Sequence, residues 1–158
     1  MKYYSIIFLL FINFAIGQSK LPNLSINNLS NQKINLNETY REDDKIYVFS
    51  FWATWCAPCI EELNALNEVY DDWKKDLNIE IIAVSTDDSR TQKRVKPLLN
   101  GKGWAFDVLL DTNQDLKRAL GIINIPYTIV VKNGEILHIQ NGFTPGSEEE
   151  LYIKLQSL

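Results

Sequence analysis

The order of apolar runs predicts an α/β fold, a mixed central sheet with helices on both faces. Three observations carry this. Ile46-Tyr47-Val48-Phe49-Ser50-Phe51-Trp52 and the stretch Ile79 to Val84 are β-prone runs without a polar face, as strands buried on both sides require. Between them Ile60, Leu63, Leu66, Val69, Tyr70 and Trp73 recur at helical spacing. Near the C-terminus Asn133-Gly134 separates the apolar runs Tyr127 to Val131 and Ile136 to Gln140, a strong short-range signal for an antiparallel hairpin.

The remaining elements follow in chain order. Met1 to Ser5 carries one positive charge at Lys2, Ile6 to Phe14 is apolar except for Asn13, and Ala15-Ile16-Gly17 supplies small residues. This pattern is read as a signal peptide, residues 1–17, cut near Gly17–Gln18. Its apolar run is short for a membrane span, and an uncleaved anchor is the alternative. No cysteine follows the run, which excludes a lipoprotein. From Pro22 to Glu38, Leu24, Ile26, Leu29, Ile34 and Leu36 alternate around the turn-prone Ser30-Asn31-Gln32, so an N-terminal β-hairpin is expected. A helix is expected from Cys59 to about Asp76 and another from Ser89 to about Asn100, ending before Gly101 and Gly103. Ala105 to Leu110 reads as a strand and Asn113 to Leu120 as a short helix stopped by Gly121. Ser147-Glu148-Glu149-Glu150 opens a last helix with Ser147 as N-cap and an acidic first turn.

Composition narrows the function classes. The chain has 158 residues, 46% hydrophobic and 23% charged, which suits one soluble domain, residues 18–158 after the leader. The net charge of −4 becomes about −5 once Lys2 leaves with the leader. The densest basic grouping, Lys93-Arg94 with Lys96, reads as a solvated helix face, so no nucleic-acid partner is expected.

Both cysteines lie in Phe51-Trp52-Ala53-Thr54-Trp55-Cys56-Ala57-Pro58-Cys59-Ile60-Glu61-Glu62-Leu63. Export would let a disulfide persist, yet a bridge from Cys56 to Cys59 closes so short a loop that it stabilises little. Zinc needs further ligands, and His138 is the only histidine, more often a satisfied side chain than a catalyst. Covalent haem needs His after the second cysteine, where Ile60 stands. A peroxidatic thiol would want Thr or Ser three residues before it and Pro seven before; Cys56 has Ala53 and Phe49 there. No metal and no cofactor is therefore expected, and redox cycling of the pair is the reading the residues favour, with an idle pair as the alternative. The pair sits after a buried strand at the first turn of a helix, where unpaired amides and the helix dipole favour thiolate. Such cysteines have pKa values of roughly 3.5 to 7.5 against about 8.5 for a free thiol. Cys56, nearest the open end, is the expected nucleophile, and Cys59, one turn inward, the resolving thiol. Pro58 fits the first turn because its missing N–H would go unused there. Trp52 is expected in the core and Trp55 on a partner-binding surface.

The segment FWATWCAPC resembles the active site of thioredoxin-fold proteins. The leader together with Cys-Ala-Pro-Cys-Ile-Glu-Glu resembles their TlpA/ResA/CcmG branch, from about Pro22 to the C-terminus. The resemblance implies a thioredoxin-like fold carrying a TlpA-type insertion, because two helices and a strand fit between the strands ending at Val84 and starting at Tyr127. Ile125-Pro126-Tyr127-Thr128 resembles the cis-proline loop, which implies that Pro126 is cis and that Ile125 offers its backbone to a substrate strand. Gly142 matches a glycine beside that loop, where a substrate backbone could approach. Trp55, Ala57, Pro58, Ile125, Pro126 and Gly142 are thus the implied substrate-binding residues.

Cys56, Cys59 and Glu62 are spaced by three and share one helical face, while Glu61 points elsewhere. Glu62 matches the branch's glutamate three residues after the second cysteine, so the resemblance gives it the proton-accepting role; on the residues alone a solvated helix glutamate stays open. Two departures stand out. Ser50 occupies the place of thioredoxin's buried Asp, six residues before the first cysteine, which shifts proton handling to Glu62. Asn64 replaces a helix proline often seen in the family, so a less kinked helix is expected. The resulting expectation is an exported protein-disulfide reductase, a monomer, acting on a disulfide-bearing exported protein such as an apocytochrome c and recharged by an upstream membrane thiol donor. A thiol oxidant or isomerase, or a redox-idle binding module, is the alternative.

Overall fold

The computed structural model describes residues 20–158; the expected leader, residues 1–17, lies outside them. In chain order the strands are β1 (Ser25–Asn28), β2 (Lys33–Asn35), β3 (Ile46–Trp52), β4 (Ile79–Ser85), β5 (Asp107–Leu110), β6 (Tyr127–Lys132) and β7 (Glu135–Asn141). The helices are α1 (Leu36–Thr39), α2 (Ala57–Asp76), α3 (Val95–Lys102), α4 (Asp115–Ala119) and α5 (Ser147–Gln156). No helix of the described residues is long and apolar enough to cross a membrane.

The period of two along β3 decides both layers. Ile46, Val48 and Trp52 face one way and pack with Leu63, Leu66, Tyr70 and Trp73 of α2, Leu151 and Leu155 of α5, and Val95 and Leu99 of α3. Tyr47, Phe49 and Phe51 face the other way, against Leu36, Tyr40, Leu116 and Ile122. Ser50 shares the parity of the α2 side, which places a hydroxyl under that helix. β3 pairs in parallel with β4 and antiparallel with β6, so Ser50 stands between Ala83 and Thr128.

All seven strands form one mixed sheet in the order β2-β1-β5-β4-β3-β6-β7. The thioredoxin-like α/β architecture is thus present, with the expected insertion as α3, β5 and α4. β5 has a second role that the sequence did not suggest. It runs parallel to β4 and antiparallel to β1, and so joins the N-terminal hairpin to the central sheet.

Element ends differ from the sequence expectation where side chains capture the backbone. The N-terminal hairpin closes at Asn35, whose side chain accepts the amides of Asn37 and Glu38 and starts α1. Residues 89–91 are not helical, because the Asp88 carboxylate accepts the amides of Arg90 and Thr91 and pairs with the Arg90 guanidinium. A 3₁₀ turn at Gln92–Arg94 then leads into α3, which passes through Gly101 and closes at Gly103, φ +66°. β5 begins only at Asp107, since the Ala105 amide donates to Asn67 Oδ1 and Trp104 Nε1 to Asn64 Oδ1. Asn64, in place of the family's proline, therefore anchors the insertion to α2, which runs unbroken over its length. Gly146, not Ser147, is the N-cap of α5; the Ser147 hydroxyl instead accepts from Gln140 and the Thr144 amide.

Candidate active site

The chain leaves β3 at Trp52 and turns into α2 over Ala53 to Cys56. The Cys56 amide donates to Ala53 O at 3.0 Å, and Cys56 itself is the N-cap of α2 without a side-chain capping bond. Cys56 thus stands at the entrance of α2, at the positive end of the helix dipole, a place that favours thiolate once the disulfide is reduced. Cys56 and Cys59 are joined in a disulfide, Cα–Cα 5.3 Å. Cys59 is fully buried, whereas Cys56 keeps 6% of its surface. An incoming disulfide therefore reaches Cys56 first, though Cys56 is far less open to solvent than a cysteine at a helix entrance would suggest.

Glu62 belongs to the buried stripe of α2 with Cys59, Leu63 and Leu66 and is 2% exposed, whereas Glu61 is solvated. Glu62 is therefore not the solvated helix glutamate that the residues alone left open. Ser50 Oγ donates to Glu62 Oε2 at 2.6 Å, and Thr128 Oγ1 donates to Oε1 at 3.0 Å. Burial raises the Glu62 pKa from its ordinary 4.5 to about 7, against the two hydroxyl hydrogen bonds, which lower it. A carboxyl group with that proton affinity exchanges its proton near neutral pH, which suits a general acid–base one turn beyond a thiol.

Ser50 thus replaces an acid with a hydrogen-bond donor to the acid supplied by α2. Thr128 follows the cis-proline loop, and the cross-strand pairing of β3 and β6 brings it to Glu62. Its sequence signal was available: Ser50 and Thr128 are isolated polar residues in otherwise apolar central strands.

The Ile125–Pro126 peptide is cis. Pro126 is buried, and Ile125 packs on both core clusters. Gly142 lies beside this loop in the left-handed region, φ +85°, and donates its amide to Pro126 O at 2.9 Å. That bond leaves the Gly142 amide occupied, and it fixes the end of β7 to the cis-proline loop. Ala57 and Pro58 are exposed, as are Trp55 at 62% and Ile123, two residues before Ile125, at 83%. Sequence reasoning did not single out Ile123, since an apolar residue next to Ile122 reads as core. Trp52 is fully buried, its ring edge-on to Trp104 with centroids 5.5 Å apart. His138 pairs with Val130 across the β6–β7 ladder, and burial together with Lys154 holds its pKa below the ordinary value. Among the described residues no cluster of His, Cys, Asp and Glu could hold a metal ion.

The chain is similar to known proteins in sequence and in fold. The model of the AhpC/TSA family matches residues 17–139. The thiol-disulfide oxidoreductase ResA of Bacillus anthracis is 31% identical over 84% of this chain and 74% of its own length. That of Geobacillus kaustophilus is 28% identical over 89% of this chain and 77% of its own. Among solved structures, a thioredoxin-like protein from Porphyromonas gingivalis superposes with a TM-score of 0.77 at 40% identity, covering 87% of this chain and 90% of that one. StoA from Bacillus subtilis superposes with a TM-score of 0.65 at 21% identity, over 82% and 95%, and shows the fold alone.

Proposed function

This chain belongs to the AhpC/TSA family, and from that premise we propose that its Cys56–Cys59 couple works as an extracytoplasmic reductant of protein disulfides. It is a thiol–disulfide oxidoreductase of the ResA type. The family name does not extend to peroxidase chemistry here, because Ala53 and Phe49 stand where a peroxidatic cysteine has its Thr or Ser and its Pro. The observation that carries the reading is the pairing of a helix N-terminal disulfide with a buried carboxyl group, Glu62, whose pKa is pushed up to about 7.

The cycle starts from the dithiol. Cys56 thiolate attacks one sulfur of a substrate disulfide, forming a mixed disulfide and releasing the first substrate thiolate. Glu62 carboxylate takes the Cys59 proton, Cys59 attacks Cys56 Sγ, and the second substrate thiolate leaves. Two electrons have then passed to the substrate, and the protein is in the disulfide form. The thiol donor that returns the two electrons is proposed as a membrane protein, and the substrate as an exported protein of the apocytochrome c kind, on the family resemblance. Export rests on the leader-like residues 1–17. Trp55, Ala57, Pro58, Ile125, Pro126 and Gly142 are proposed to receive the substrate chain, supported by the exposure of the first three and the proximity of the last two.

Direction is tested by equilibrating the couple with glutathione buffers and reading the dithiol fraction. A reductant is expected nearer the roughly −270 mV of thioredoxin than the roughly −120 mV of a strong oxidant. A potential at the oxidant end would replace the reductase reading by that of a thiol oxidant.

A further inference from the structure

Asp87 lies two residues past the end of β4, is 1% exposed, and has no part in the cycle above. Its carboxyl group receives three hydrogen bonds. The Thr54 amide donates to Oδ2 at 2.8 Å, the Thr54 hydroxyl to Oδ1 at 2.6 Å, and the Ser85 hydroxyl to Oδ2 at 2.9 Å. Thr54 belongs to the loop between β3 and α2, two residues before Cys56.

The preceding residue works on the same loop. The Thr86 amide donates to Trp52 O at 2.8 Å, and its hydroxyl to the same oxygen at 3.1 Å. Thr86 O in turn accepts from Gln114 Nε2, within the insertion. The parallel ladder of β3 and β4 ends at Trp52 and Ser85, and Thr86 and Asp87 continue it beyond the strands with one backbone bond and one side chain. The Thr54 amide has left the ladder, and the buried acceptor it finds is Asp87. From Thr54 the turn closed by the Cys56 amide on Ala53 O delivers the sulfur to the helix entrance.

We propose that Asp87 is a positioning residue for the nucleophile: by gripping the amide and hydroxyl of Thr54 it holds the loop that sets Cys56 at the N-terminus of α2. Displacement of this loop moves Cys56 away from the positive end of α2, which favours its thiolate, and off the line of attack on a substrate disulfide. The assignment rests on the oxidoreductase reading only for the second of these effects. Asparagine at the same place keeps an acceptor for the Thr54 amide and the Ser85 hydroxyl, while its amide donates to the Thr54 hydroxyl, which reverses to accept. Alanine keeps none of the three contacts.

The test measures alkylation of Cys56 by iodoacetamide against pH in a Cys59→Ser background, and reduction of insulin by the otherwise unaltered dithiol protein. In Asp87→Ala the Cys56 pKa is expected to rise by about one unit as the sulfur moves away from the helix N-terminus, and insulin reduction to slow about 10-fold. Asp87→Asn is expected to show no rise and to reduce insulin within about threefold of the wild type. Thr54→Val keeps the amide contact, loses the hydroxyl one, and moves both readouts in the direction of Asp87→Ala; with Asp87→Asn it decides the matter should the alanine variant not fold. A charge acting without positioning would lower the Cys56 pKa in Asp87→Ala and Asp87→Asn alike, and a purely structural residue would leave both readouts at wild-type values. Either result overturns the proposal. Wild-type protein inert toward insulin would end the reductase reading, while the alkylation profiles would still decide the role of Asp87.

Discussion

A Cys56→Ser protein loses disulfide reduction by at least about 1,000-fold, the scale on which removing an enzymatic nucleophile acts. The reason is the division of labour between the sulfurs. Cys56 alone combines residual exposure with a place at the helix N-cap, while Cys59 is enclosed by α2 and the core. A substrate disulfide cannot reach Cys59 without opening that packing, so the remaining thiol does not substitute. The fold is expected to persist, because the bridge lost closes only a short loop and contributes little stability. Insulin reduction against thermal unfolding of the same variant separates the two effects: activity falls and the transition stays within a few degrees of the wild type.

Glu62→Gln carries the second large effect, and its sign follows from the raised pKa. In the unfolded chain the carboxyl group ionises near 4.5, whereas in the folded disulfide form it keeps its proton up to about 7. Below pH 4.5 both states are protonated, and the preference of the fold for the protonated form is fully present. As pH rises from there to about 7, only the unfolded state gives up its proton, and wild-type stability falls, by about 3 kcal/mol across the window. Above pH 7 the fold bears a buried charge, and the difference no longer changes. Glutamine cannot ionise, so the stability difference between wild type and Glu62→Gln, measured by chemical denaturation, is expected to carry this decline while shifts at other groups such as His138 cancel. Catalysis moves the opposite way. Attack by Cys56 is unaffected, but Cys59 loses its base, and resolution of the mixed disulfide slows by about 100-fold. The rising limb of that step near pH 7 disappears with it. A wild-type minus Glu62→Gln stability difference that does not change between pH 4.5 and 7 would mean that Glu62 is not held as described.

How much of this was legible in the sequence depends on whether the information was local. Cys56, Cys59 and Glu62 lie on one stretch of helix, and a spacing of three is enough to align them. The strands β3 and β4 were legible for the same reason, each being a single apolar run. The partners of Glu62 stood out only as isolated polar residues, and their meeting was not legible. Ser50 and Thr128 come from strands that meet only through the antiparallel pairing of β3 with β6, a long-range fact absent from either run. Asp87 was hidden more completely, since Ser85-Thr86-Asp87-Asp88 reads as an ordinary polar turn after a strand. Its neighbour Asp88 is indeed such a turn residue, and its side chain displaced the expected start of the helix to Val95. Nothing in the composition separates the buried acid from the half-buried one. Ser147 was misjudged as a cap because a glycine with positive φ before it can start a helix equally well.

The central claim, that Cys56 attacks and Cys59 resolves, is tested most directly by trapping. Reduced Cys59→Ser and Cys56→Ser proteins are each mixed with insulin, quenched in acid and examined by intact-mass spectrometry. A long-lived mixed disulfide on Cys56 is expected in the first and no adduct on Cys59 in the second over the same time. Adducts that form equally fast in both, or only in Cys56→Ser, would contradict it.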